Sequence, residues 1–211
     1  MFSIINWNYL IGLLLSAITA LIAIVIHEIS HGYAAYLMGD TTAKRDGRLS
    51  LNPLHHIDWI GALCLMFFHI GWAKPVPINP FMFKNRKWGI IFVSLAGVIS
   101  NFFLAIISIV AMCFIEILEG PLLIFRFFFM LATVNIGLGI FNLIPIPPLD
   151  GSKVLAEFLP IRARIKYLQF ERFGWIVLFV LIYFGNFSKY LGIALEFVFN
   201  CLFNLIAGVI L

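Results

Sequence analysis

The amino-acid sequence predicts an all-α, polytopic membrane protein, and its composition and hydropathy are the observations behind that prediction. Of its 211 residues, 63% are hydrophobic and only 11% are charged, and the mean hydropathy is +1.05. A soluble domain has about 25% charged residues, so this chain has too few polar side chains to cover a water-facing surface. No polar linker or internal repeat is visible, which favours a single membrane domain over residues 1–211.

Apolar stretches predict the order of the helices. A membrane-spanning helix needs roughly 20 mostly apolar residues, which predicts about five transmembrane helices, the fourth of them short. They are residues 9–38, 88–118, 121–143, 173–187 and 189–211. Gly61, His69 and Gly71 interrupt a further apolar run, residues 57–73, which we interpret as a re-entrant or short β element between the first and second spans. The proline-rich residues 72–80 that follow are predicted to be extended.

The basic residues predict the orientation of the chain in the membrane. Twelve of the 14 Lys and Arg residues lie in segments 44–48, 74–87 and 153–172, which share one side of the bilayer if residues 57–73 return to the side they left. Because loops rich in Lys and Arg stay in the cytosol, we predict a multi-pass protein of the cell membrane with its N-terminus outside. This topology and anionic lipid explain the net charge of +4, and no nucleic-acid-binding motif is visible.

The second half of the first predicted span contains His27-Glu-Ile-Ser-His31, an H-E-x-x-H motif. Four residues of helix rise about 6 Å and turn about 400°, so the two histidines project from one face, one turn apart. Two neutral imidazoles so placed can share one Zn²⁺, and Glu28 beside them can take a proton from water and return it to a leaving amine. The alternative is a pair of hydrogen-bonded core histidines, although three ionisable groups in one apolar helical turn are costly without a metal or partner.

Asp150 is the best candidate for a third metal ligand, since a catalytic zinc usually has three protein ligands and one open position. It ends the segment Asn142-Leu-Ile-Pro-Ile-Pro-Pro-Leu-Asp150, in which three prolines terminate the third span. Gly151 is predicted to permit an unusual turn just beyond the carboxylate. The predicted topology places this segment and the H-E-x-x-H turn on the cytosolic side, although an isolated Asp-Gly is more often only a turn.

Together the two motifs resemble those of the site-2 protease family of intramembrane zinc metalloproteases, in its small prokaryotic branch without a PDZ or CBS domain. The matching segments are 27–32, 47–53, 71–77 and 142–151. The resemblance implies that His27, His31 and Asp150 bind one catalytic zinc ion and that Glu28 is the catalytic base.

The same resemblance identifies two asparagines as candidate site residues. The stretch from Ser94 to Asn101 is similar to a family motif with an Asn near the catalytic site, although the family often has Pro where this chain has Val98. Asn101 could be catalytic by donating to the oxyanion, or it could hold helices together. Asn142 matches an Asn of the family's third span, with a role in substrate binding or in holding the Asp150 loop, against plain helix packing. Asn135 matches no motif and is interpreted as structural.

A further polar group, His55, His56 and Asp58, could form a second cluster or bind metal, against a solvated or capping role.

The sequence therefore suggests an intramembrane zinc metalloendopeptidase that hydrolyses peptide bonds in or near transmembrane segments, in regulated intramembrane proteolysis or clearance of membrane remnants. Its partners would be the lipid bilayer and the transmembrane helix of a substrate, which must unwind before cleavage. Residues 72–80 could offer that substrate a strand edge, or could be a simple surface loop. The alternative function is a membrane metal-ion transporter, which has no need of Glu28. A homodimer is left open.

Overall fold

The computed structural model describes residues 7–58, 74–184 and 186–210, and it confirms the prediction of an all-α polytopic membrane protein. The helices are α1 (Trp7–Leu37), α2 (Thr42–Arg45), α3 (Arg86–Ile117), α4 (Leu122–Leu143), α5 (Asp150–Ala156), α6 (Ile161–Gln169), α7 (Glu171–Phe184) and α8 (Phe187–Ile210), with short 3-10 turns at Pro53–His55 and Pro80–Met82. Among the described residues α1, α3, α4 and α8 are long and apolar enough to cross a membrane.

Two of the sequence predictions about spans stay open. The predicted fourth span, residues 173–187, corresponds to α7, which has 14 residues. At 1.5 Å per residue such a helix is about 21 Å long, shorter than the roughly 30 Å hydrocarbon core. Most of the predicted re-entrant or β element, at residues 59–73, lies outside the described residues. The number of spans therefore remains a prediction.

Helix α3 lies at the centre of the bundle, where it packs against α1, α4 and α8. Alanines allow the helix backbones to approach closely, which is how helices associate in lipid. Ala23 of α1, Ala105 of α3 and Ala132 of α4 are fully buried. The start of α3 is set by Asn85, whose side chain accepts a hydrogen bond from the Trp88 N–H at 3.2 Å.

Asp40 anchors the loop that follows α1. Gly39 turns the chain there with a φ of +110°, a value that favours glycine. The fully buried Asp40 carboxylate accepts hydrogen bonds from the Thr42 N–H at 2.9 Å and the Asn79 N–H at 2.6 Å. Burial opposes its ionisation, but these hydrogen bonds and the nearby Arg45 charge hold the pKa of Asp40 below its usual range. The carboxylate thus ties the end of α1 to the segment before α3.

That segment, residues 74–79, is non-helical, with Asn79 in the extended region, as its prolines predict. The Lys74 N–H donates to the His56 carbonyl at 2.9 Å, and the Arg48 side chain donates to the Lys74 carbonyl at 2.7 Å. These bonds and those of Asp40 hold both ends of the segment, and the Val76 N–H between them contacts the H-E-x-x-H turn at Glu28.

Replacing Asp40 with Ala is expected to lower the stability of the protein by at least about 1.5–3 kcal/mol, the cost of one hydrogen bond to a charged group. Thermal unfolding in detergent micelles measures the loss. Because the pKa of Asp40 is lowered in the folded state, the loss is complete at neutral pH and shrinks as the pH falls from about 4 through that lowered pKa. The matched control is Asp46→Ala at the exposed end of α2. Equal melting temperatures for the two variants would contradict the anchoring role of Asp40.

Candidate active site

The two histidines of the H-E-x-x-H motif face each other near the cytosolic end predicted for α1. The ring centroids of His27 and His31 are 4.5 Å apart, and their Nε2 atoms are separated by 2.9 Å. Both residues are buried, each 6% exposed. The one-turn spacing of the motif therefore produces the predicted shared face.

Asp150 joins the two rings from 119 positions further along the chain than His31. Its Oδ2 atom lies 3.2 Å from His27 Nε2 and 3.0 Å from His31 Nε2. Its position depends on Gly151, because a Cβ there would collide with the Leu143 carbonyl at the end of α4. The expected unusual turn is wrong, because Gly151 is a helical residue of α5 and is not among the positive-φ glycines. The glycine is needed because it has no side chain.

Hydrogen bonds to α3 set the proton positions on both rings. His27 Nδ1 lies 2.6 Å from Asn101 Oδ1, and His31 Nδ1 lies 2.7 Å from the Val93 carbonyl oxygen. An amide or carbonyl oxygen only accepts hydrogen bonds, so each Nδ1 carries the proton and each Nε2 is left with a lone pair.

The resulting donor set fits a divalent metal ion. Two Nε2 atoms and the Asp150 carboxylate converge within 4.8 Å of one another, so three donor atoms face one point at which a cation can be held. A tetrahedral zinc with bonds of about 2.0–2.1 Å holds its ligand atoms roughly 3.3 Å apart. The observed separations of 2.9, 3.0 and 3.2 Å are close to that value. Among the described residues, this is the one His, Cys, Asp and Glu group of such geometry.

Asn101 belongs to a buried chain of amides that runs away from the metal position. Its Nδ2 donates to Asn135 Oδ1 at 2.7 Å, and Asn135 Nδ2 donates to the Leu131 carbonyl at 2.8 Å. Both asparagines are fully buried. The Asn101 amide group also lies 3.4 Å from the Ala23 carbonyl of α1, which accepts from it. Since the amide hydrogens have these two acceptors, the geometry favours positioning of His27 over the oxyanion contact expected from the sequence. Asn135 therefore takes part in the site, and its one sequence signal is a polar residue in the middle of an apolar span.

Glu28 follows His27 on α1 and lies outside the candidate metal cluster. Its Oε2 atom accepts a hydrogen bond from the Val76 N–H at 2.8 Å, which joins the motif to the extended segment 74–79. Gly32 allows the segment to lie this close to α1, because a Cβ at position 32 would be only 3.0 Å from Val76 Cγ1. The extended segment thus covers the face of α1 that carries the proposed base.

Comparison with known proteins decides the family. Residues 15–185 match the family described as "Peptidase family M50". This chain belongs to peptidase family M50. It is 37% identical over 170 residues, 78% of either chain, to a protein of Bacillus subtilis (strain 168) named "Putative zinc metalloprotease YwhC". No solved structure matches the chain. The resemblance to site-2 proteases is confirmed, and the protein is a membrane metalloprotease of the M50 family.

Three other candidates in this M50 peptidase contact backbone carbonyls and are not among the residues of the candidate metal cluster. Asn142 Nδ2 donates to the Leu138 carbonyl of its own helix at 3.0 Å. His56 is buried, with Nε2 at 2.8 Å from the Ser50 carbonyl oxygen, and His55 Nδ1 lies 3.2 Å from the Gly47 carbonyl oxygen. These backbone contacts favour the structural roles of both histidines over metal binding.

Lys153 is a site residue of this M50 peptidase that sequence reasoning missed. It lies one turn after Asp150 on α5, and its Nζ atom is 3.0 Å from Asp150 Oδ1. The two carboxylate oxygens of Asp150 therefore have different partners. Oδ2 faces the two histidines, and Oδ1 faces the ammonium group of Lys153. The spacing of three residues between Asp150 and Lys153 on a helix is the signal that could have found it.

Replacing Gly97 with Ala is expected to lower metal affinity by about tenfold or more, as for other changes that misplace ligands. An added Cβ would lie 2.6 Å from both His27 Cε1 and His31 Nε2, so the rings or α3 must move. Titration of the metal-free protein with zinc against a chelator measures the affinity. The matched control is Gly192→Ala on α8, where an added Cβ meets nothing within 4 Å. Equal affinities would show that Gly97 does not determine the seating of the rings.

Proposed function

We propose that this M50 peptidase is an intramembrane zinc endopeptidase that cleaves peptide bonds in or near transmembrane segments of membrane-protein substrates. The observation that carries the proposal is the buried cluster of His27 Nε2, His31 Nε2 and Asp150 Oδ2, whose two histidines lie on a helix long enough to span a bilayer. A buried charge cluster in such a helix is costly and marks function. Its partners in this proposal are the lipid bilayer and a substrate helix.

The proposed ligands are His27, His31 and Asp150, and they suit zinc because imidazole nitrogen and carboxylate oxygen are its usual donors. When bound, zinc supplies a Lewis acid that acidifies water and polarises the scissile carbonyl. Lys153 holds the second oxygen of Asp150, which orients the carboxylate towards the two rings. The proposal for Asn101 is a positioning role, in which its Oδ1 keeps the proton of His27 on Nδ1.

Glu28 is the proposed general base and general acid. Its Oε2 is held by the Val76 N–H, so its other oxygen, Oε1, is available at the level of the two rings. Oε1 takes the proton from water as the new C–O bond forms. The same oxygen then gives the proton to the amide nitrogen as the C–N bond breaks, and the products are a carboxylic acid and an amine, which ionise to a carboxylate and an ammonium group. A Glu beside the ligands, and not among them, favours hydrolysis over metal transport.

The extended segment is the proposed contact for an unwound substrate, and the structure narrows the backbone donors it could use. The Val76 N–H is bonded to Glu28, and the Asn79 N–H is bonded to Asp40. Prolines at 75 and 77 have no N–H. Within residues 74–79 the backbone donor left for strand pairing is therefore the N–H of Ile78.

The proposed orientation places the active site towards the cytosol of a multi-pass cell-membrane protein. Helix α5, which begins at Asp150, and helix α6 carry the basic residues Lys153, Arg162, Arg164 and Lys166. Cytosolic loops are enriched in such residues. Water and the hydrophilic products would then exchange with the cytosol.

Replacing Glu28 with Gln is expected to reduce cleavage of a membrane-embedded reporter by about 10²–10⁴-fold, the usual contribution of general acid–base catalysis, while zinc is retained. Cleavage is followed by gel analysis in proteoliposomes, and zinc by elemental analysis. Glu116→Gln, at the exposed end of α3, is the matched control and should cleave normally. Normal cleavage by the Glu28 variant would exclude it as the base.

Replacing Asn101 with Leu is expected to weaken zinc binding by about 10–100-fold, because the His27 ring loses the acceptor that orients it. An oxyanion contact would instead lower kcat with zinc affinity unchanged. Asn142→Leu, one of the chain's other membrane asparagines, is the control and should bind zinc normally. A chelator competition titration measures all three proteins; unchanged affinity of the Asn101 variant would reject the positioning role.

A further inference from the structure

A cavity of about 280 Å³ opens beside the metal-binding atoms. It lies between the extended segment with its following 3-10 turn and the first turns of α3. A single water molecule occupies roughly 30 Å³, so the cavity has room for a whole amino-acid side chain. Its metal end is formed by His31, Asp150 and Lys153.

Away from that end the cavity wall is largely apolar. Its apolar lining side chains are Val76, Ile78, Phe83, Ile90 and Val93, with Pro80, and the further polar lining residue is the buried Ser94. A polar group placed against such a wall loses its water without a replacement partner, whereas an apolar group gains by leaving water. The wall therefore selects for apolar side chains.

Two wall residues are bonded directly to the catalytic motif, so the cavity has a fixed position relative to the metal. The Val76 N–H donates to Glu28, and the Val93 carbonyl accepts from His31 Nδ1. Both valines are buried, 5% and 4% exposed. An apolar side chain seated between them would hold its own backbone at a defined distance from the reacting groups, which is the requirement for a specificity site.

Ile78 and Ile90 are the wall residues best placed to set the size of the side chain that fits. Both pack at the edge of a small core formed by Ala34, Ala35, Phe83 and Val93, and both are partly exposed. Because they lie at the margin of that core, their side chains can be altered with less damage to the fold than Phe83 or Val93.

We propose that this cavity is the subsite for an apolar side chain next to the cleaved peptide bond, and that Ile78 and Ile90 determine which size is accepted. The inference rests on the proposed proteolytic function. It adds that the substrate residue next to the cleaved bond has an aliphatic or aromatic side chain and not a polar one.

The test uses the protein in lipid nanodiscs and a reporter with one transmembrane segment, whose cut site is first mapped by mass spectrometry. The residues on either side of the cut are then changed in turn to Ala, Leu, Phe and Asn, and kcat/KM is measured for each reporter. Wild type should prefer Leu over the similarly sized Asn by about 10–200-fold at one of the two positions.

Two enzyme variants alter the cavity in opposite directions. Ile78→Ala enlarges it and should raise the ratio of kcat/KM for Phe over Leu by about tenfold. Ile90→Phe narrows it and should raise the ratio for Ala over Leu by a similar factor. The matched control is Ile99→Phe on the same helix, which is 60% exposed and outside the cavity, and it should leave both ratios unchanged.

Failure of the inference is distinguishable from failure of the proposed function. If wild type cleaves the reporters, Glu28→Gln does not, and both cavity variants keep the wild-type ratios, the protein is a protease but the cavity is not its subsite. Equal cleavage of Leu and Asn reporters at both positions also rejects the subsite. If the Glu28 variant cleaves as well as wild type, the proposed mechanism itself is wrong. The subsite inference, which rests on that mechanism, is then rejected as well. If one cavity variant is inactive, the ratio measured with the other decides.

Discussion

The contact between α1 and α3 is the interaction on which the rest of the site depends. In a membrane interior there is little water to satisfy a polar group, so both imidazole Nδ1 protons must be accepted by protein. Helix α3 provides both acceptors, the Asn101 side chain and the Val93 carbonyl. Gly97 lies between them and leaves the space that the two rings occupy. Helix α3 thereby determines the tautomer of each ring and the direction of each Nε2 lone pair.

The third proposed ligand reaches this contact by a different physical route. Prolines end α4, and the absence of a side chain at Gly151 lets α5 begin against the last carbonyls of that helix. Asp150 is consequently the first residue of a helix, where a negative charge is favourable. The buried Glu157, just after α5, forms an ion pair with Arg164 of α6, so the segment that carries the carboxylate is supported on both sides.

The parts of the structure that the sequence could predict are those determined by neighbours along the chain. The shared face of His27 and His31 follows from helix geometry, and the long apolar helices follow from hydropathy. Asp150 could be located by its prolines and by resemblance, but its distance from the rings depends on how α5 meets α4. The role of Asn101 depends on the rotation of α3, which places its amide against Asn135 and its oxygen against His27. Asp40 gives no sequence signal for its contact with Asn79, since that pairing arises only from the folded path of the loop.

The amide chain from α4 through α3 to α1 has a consequence for the order of assembly. In a bilayer each long apolar helix can insert and stand alone, and association comes later. No single helix of the three contains both a metal-binding nitrogen and the acceptor that orients it, so a solitary α1 presents rings free to rotate and exchange tautomers. Coordination by the proposed ligands therefore requires the three helices to have come together. On the proposed ligand set, capture of the ion follows the association of the helices, and a newly made chain whose helices remain apart in the lipid does not hold it.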